Sequence, residues 1–167
     1  EALNILIEDY RNDNFQAIIL GSDQGRNVYK KKLLNLVQRY RLSQKIKFIN
    51  HCKEMPLAYS IADVVVSAST EPEAFGRVSV EAQAMGKPII ASNLGGSKET
   101  ILNGKSGFLY KYDDPRQLAK TLSAVMELDQ DSLNSIGNEG RKNATKKFDV
   151  EVMCDSTLRE YKKLLDI

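Results

Sequence analysis

One histidine, two cysteines and no apolar run of about 18 residues set the first limits on this 167-residue sequence. A lone imidazole, His51, leaves no cluster for a zinc or iron site. Cys52 and Cys154 lie far apart and lack Cys-x-x-Cys spacing, so they fit a reducing cytosol and packed or idle thiols. The sequence reads as having no transmembrane helix, and its first residues show no basic-then-apolar leader. An excess of charge of one sign is missing as well: 24 basic residues stand against 22 acidic, a net of +2. That balance is too even to announce a nucleic-acid binder, since domains that track phosphate backbones usually carry a basic surplus on one face, and no nucleic-acid partner is expected. Internal repeats, low-complexity tracts and linkers are also absent, and the expectation is a single domain over residues 1–167. The sequence begins at Glu1 without a methionine, and we expect a segment cut from something longer.

What is present is globular in composition, with 42% hydrophobic residues, 28% charged residues, 10 glycines and 4 prolines. Short apolar runs rich in β-branched residues recur at Ala17–Gly21, Ile46–Ile49, Asp63–Ser67 and Pro88–Ser92, and Gly107–Tyr110 adds a fifth. These read as buried strands. Helical spacing lies between and after them, in Val28, Leu33, Leu34, Val37 and Tyr40, and in Leu118, Leu122, Val125 and Met126. Alternating strands and helices predict an α/β fold, a doubly wound parallel sheet with helices on both faces. From Asp114 onward the chain reads as a helical C-terminal tail, where Cys154, Leu158, Tyr161 and Leu165 form one stripe and Cys154 is expected as a small core residue. The opening segment places Leu3, Leu6, Ile7 and Tyr10 on one helix face, and the strand that should precede this helix is expected to be missing.

Ligands of open parallel sheets sit where strand ends lead into helix N-termini. The loop after the third strand is the most unusual: Ser69-Thr70-Glu71-Pro72-Glu73-Ala74-Phe75-Gly76-Arg77, then a helical Val78 to Met85, then Gly86-Lys87-Pro88. Glu73 stands before the helix and Glu81 about one turn inside it, so the two carboxylates can take hydroxyls at two places on one extended ligand. Backbone amides from Phe75 to Val78, aided by the helix dipole, suit phosphates. Gly76 permits a close backbone approach. Taken alone, Glu81 reads as a solvated helix residue and Glu71 as loop surface. Gly95 and Gly96 read equally as a tight turn or as ligand contacts, and Glu99 as a cap for a short helix after them. Lys30-Lys31-Lys32 reads as a solvated helix face, short of the 4–8 cations of a lipid-binding cluster. His51 reads as a loop or core residue.

Glu73-Ala74-Phe75-Gly76, Glu81-Ala82, Met85-Gly86-Lys87-Pro88, Gly95-Gly96 with Glu99, and Gly104 with Gly107 together resemble the C-terminal, donor-binding domain of glycosyltransferase family 4 (glycosyl transferases group 1), retaining enzymes of the GT-B fold. The two glutamates with seven residues between them are that family's signature, and the likeness runs from about Leu20 to Leu128. The resemblance implies that Glu73 is the catalytic position, holding the donor sugar's hydroxyls near the reacting carbon. It implies that Ala74, Phe75 and Gly76 line the donor through their backbone, that Glu81 takes the ribose hydroxyls, and that Arg77 reaches phosphate. Gly21, in Gly21-Ser22-Asp23-Gln24-Gly25, matches a glycine loop facing the cleft, and the turn at Asn50 lies near the base. The implied fold is the Rossmann-like C-terminal half of GT-B.

The function that follows is a donor-binding domain of a retaining, hexosyltransferase-type glycosyltransferase, moving sugar from a nucleotide-diphospho-sugar to a glycolipid or polysaccharide precursor. No metal or other cofactor is expected, since helix amides take the phosphate charge and no Asp-x-Asp loop is present. The expected partners are the nucleotide-sugar donor and the protein's own N-terminal acceptor domain, absent from these 167 residues; peripheral membrane contact is left open through that domain. The expected location is cytoplasmic, and the segment alone is expected to be inactive. Two alternatives stay open: a non-catalytic nucleotide- or sugar-binding module, and a GT-B sugar-nucleotide epimerase.

Overall fold

The computed structural model describes residues 1–22, 25, 27–50 and 52–165. The expected Asp23, Gln24 and His51 lie outside the described residues. The chain divides into two compact units, one formed by Glu1–Ala58 and Asp114–Glu127, the other by Tyr59–Asp113 and Leu128–Ile167.

The first unit contains helix α1 (Ala2–Tyr10), strand β1 (Ala17–Leu20), helix α2 (Asn27–Arg39), strand β2 (Ile46–Ile49) and helix α6 (Pro115–Met126). β1 and β2 pair in parallel, with Ala17 opposite Ile46 and Leu20 opposite Ile49. α6 starts where Asp114 accepts the Gln117 amide at 2.9 Å and Pro115 occupies the first turn, where a missing N–H costs nothing. It packs against α1, burying Leu118, Ala119, Leu122 and Val125 on one side and Ala2 and Leu6 on the other. The α2 stripe is helical as its spacing requires but none of it is fully buried, and Val28 is 84% exposed. β1 is likewise open, with Ile18 and Ile19 exposed.

The second unit contains strands β3 (Val65–Ser67), β4 (Ile89–Ser92) and β5 (Phe108–Tyr110), in the order β3-β4-β5 and all parallel. Helix α3 (Met55–Ser60) begins in the first unit and ends in the second. Helices α4 (Arg77–Ala84), α5 (Ser97–Thr100), α7 (Gln130–Lys147) and α8 (Val150–Leu164) complete it. β4, the central strand, is paired on both edges and buried along its whole length. β3 begins two residues later than the apolar run suggests, because pairing starts where the Val65 amide reaches the Pro88 carbonyl at 2.9 Å.

α7 closes on α4 through glycine. A Cβ on Gly137 would stand 2.0 Å from the Gly86 carbonyl oxygen, and one on Gly140 3.1 Å from Gln83 Cγ. Behind that contact is a buried polar network. Gln83 Nε2 donates to the carbonyls of Ser79 at 3.1 Å and Thr100 at 2.8 Å, and Asn143 Nδ2 donates to Gln83 Oε1 and to the Thr100 carbonyl, both at 2.9 Å.

The C-terminal tail is helical, but its apolar stripe is not core. Cys154 is exposed, with Leu158, Tyr161 and Leu165 each more than half exposed. Periodicity sets the face on which these residues lie; burial needs an element opposite that face, and α8 has no buried residue. Among the described residues, no helix is long and apolar enough to cross a membrane.

Candidate functional site

β3 delivers the chain at buried Ser67 into a loop, residues 68–76, that ends at the start of α4. Two glycines hold this loop. The Gly96 amide donates to the Glu73 carbonyl at 2.8 Å. Cβ atoms would stand 2.5 Å from that same carbonyl oxygen at Gly95 and 2.4 Å from the Phe75 carbonyl at Gly96. Gly95 also has φ +56°, in the left-handed region. The glycine pair is therefore required by backbone-to-backbone contact, a structural role for residues that the sequence left open between turn and ligand. Glu99 does not cap α5, which starts at Gly96 without a side-chain cap.

Gly76 is the N-cap of α4, buried, at φ +79°, and having no side chain it makes no cap bond to the helix. Its carbonyl takes the Ser79 amide at 3.0 Å and the Val80 amide at 3.3 Å, so the amides of Arg77 and Val78 precede the first internal bond. This is the geometry in which a helix start attracts an anion. Ahead of it, Glu73 is half-buried and its Oε1 accepts the Ser69 hydroxyl. Ala74 and Phe75 are exposed, and the Phe75 ring meets Phe148 edge-on at 5.7 Å.

Glu81 lies one turn into α4 and is partly exposed. Its Oε1 accepts from Arg77 Nη2 at 2.9 Å and Nε at 3.2 Å, and its Oε2 accepts the Tyr59 hydroxyl at 2.8 Å. Burial first, then the hydrogen bond to Glu81, pushes the Tyr59 hydroxyl above the ordinary tyrosine range, so it is a donor at neutral pH.

Six of the seven expected site residues thus fall on one loop and one helix: Glu73, Ala74, Phe75, Gly76, Arg77 and Glu81. Gly21 belongs to the first unit, at the end of β1, where its amide donates to the Ile49 carbonyl at 3.0 Å. Asn50 Oδ1 accepts from Lys30 at 2.8 Å. Sequence reasoning missed Tyr59, 22 residues from its partner, for which no local pattern exists. Ser69 carried a fainter signal, a hydroxyl four residues before Glu73.

The model of the family described as glycosyl transferases group 1 matches residues 1–143. The chain is 30% identical over 170 residues to spore coat protein SA of Bacillus subtilis strain 168, covering 98% of this chain and 44% of that protein. It resembles the crystal structure of a glycosyltransferase from Rickettsia africae ESF-5 with a TM-score of 0.90 and 29% identity, over 98% of this chain and 44% of the other. It also resembles Anabaena Alr3699/HepE, solved in complex with UDP-glucose, with a TM-score of 0.85 and 30% identity, over 95% of this chain and 44% of the other. The chain therefore spans less than half the length of these relatives.

Proposed function

The chain belongs to the glycosyl transferases group 1 family, and on that premise we propose that it supplies the donor-binding half of a retaining, hexosyltransferase-type enzyme that takes sugar from a nucleotide-diphospho-sugar. The observation that carries this reading is the succession, within one unit, of Glu73, the Gly76 start of α4 and Glu81. Glu81 takes the ribose hydroxyls. The Arg77 and Val78 amides take the pyrophosphate, receiving the charge that grows as the bond from the anomeric carbon to the phosphate oxygen breaks and its electron pair leaves with the diphosphate. They do so in place of a metal ion. Glu73 holds the sugar's hydroxyls beside the carbon on which positive charge develops. The acceptor hydroxyl then attacks the face the diphosphate leaves, its proton passing to the departing phosphate oxygen, and the configuration is retained. HepE, solved with UDP-glucose, supports a nucleotide-sugar donor. An N-terminal domain outside this chain holds the acceptor, a glycolipid or polysaccharide precursor, and the enzyme works in the cytoplasm.

Steady-state kinetics of the full-length protein test this. Glu81→Ala is expected to raise the donor KM about tenfold or more, and Glu73→Ala to lower kcat by about 100-fold or more with a smaller change in KM. Unchanged kinetics in both variants would refute the assignment.

A further inference from the structure

We propose that Tyr59 is a positioning residue for the nucleotide site: its hydroxyl fixes Glu81 Oε2 and thereby turns Oε1 toward the ligand. The inference rests on the reading of Glu81 as the ribose-binding carboxylate. The two donors on this carboxylate are unlike. Tyr59 is 5% exposed, comes from a different helix, and reaches Oε2 at 2.8 Å. Arg77 comes from the same helix, four residues earlier, and its side chain is 83% exposed. An exposed i, i+4 ion pair is weak and easily exchanged, whereas a hydrogen bond from a buried phenol to a carboxylate is strong and costly to break. A ligand hydroxyl arriving at Glu81 therefore displaces the guanidinium from Oε1 and leaves the phenol on Oε2. Without the phenol both oxygens are free to rotate, and the ordering of the carboxylate falls on the ligand.

Tyr59→Phe removes the hydroxyl and keeps the ring. In the full-length protein, calorimetric titration with UDP, GDP and ADP identifies the nucleotide that binds most tightly, and each variant is then titrated with that nucleotide and its 2′,3′-dideoxy counterpart. Tyr59→Phe is expected to raise Kd for the ribonucleotide about tenfold and to change Kd for the dideoxynucleotide less than about twofold, with no further loss in a Glu81→Ala background. A merely structural role would weaken both ligands equally, and that result overturns the proposal. Wild-type affinity in Tyr59→Phe alongside weakened binding in Glu81→Ala also overturns it, while leaving the reading of Glu81 standing. Undiminished binding in Glu81→Ala, or no binding of any of the three nucleotides by the wild type, removes that reading and this inference with it.

Discussion

A glycine is kept at position 96 by distance rather than by dihedral angle. Gly96 sits at φ −62°, which any residue adopts, yet its missing Cβ would collide with the Phe75 backbone at 2.4 Å. Gly96→Ala must push the loop carrying Glu73 away from α5, at about 1–3 kcal/mol of stability. The expected outcome is a lower melting temperature together with loss of nucleotide-sugar binding; a variant that keeps both would show the loop to be more pliable than the contact implies. At this scale the sequence was informative about identity and silent about partners. Glu73, Gly76 and Glu81 stand out in the sequence through the family resemblance, and the structure places them along one loop and one helix. Tyr59 is not legible, because a bond across 22 residues leaves no periodic trace. Cys154 was misplaced, since a stripe of apolar residues specifies a face without specifying what covers it.

α4 has an unusual division of labour among its faces. Its start is left open, Glu81 faces Tyr59 and Arg77, and its rear is locked by Gln83 and by the glycines of α7. Gly137→Ala gains roughly 1 kcal/mol of helix propensity but drives a methyl to 2.0 Å from the Gly86 carbonyl oxygen, so the net effect is a destabilisation of about 1–3 kcal/mol, measurable by denaturant unfolding. A neutral or stabilised variant would mean that the α4–α7 contact yields readily. At the start of α7, the Asp129 carboxylate accepts the Ser132 amide at 2.7 Å, and that bond holds it below the usual carboxylate range. The folded pKa is depressed, so the stabilisation is fully present above the unfolded value and is lost as pH falls through the folded one. The melting difference between wild type and Asp129→Ala is expected to be largest near neutrality and to vanish in strong acid, and a pH-independent difference would contradict it. Aspartates cap α6 and α8 in the same way, at Asp114 and Asp149. The Gln83–Asn143 bond spans 60 residues and has no local sequence pattern to announce it.

Across the whole molecule, alternation of strand and helix predicted parallel pairing, and each ladder is parallel. The partition of those ladders between two units was not legible, because apolar runs of similar length give no sign of which strands share hydrogen bonds. Residues 68–81, from the loop through Glu81, all lie in the second unit, so the core of the proposed nucleotide site needs only that unit's own packing to be set. The most direct test is a crystal structure of the full-length protein with a nucleoside diphosphate. The ribose hydroxyls should lie within hydrogen-bonding distance of Glu81 Oε1, with Tyr59 still on Oε2 and a phosphate at the Arg77 and Val78 amides. A nucleotide bound elsewhere, with Glu81 still held by Arg77, would contradict the account.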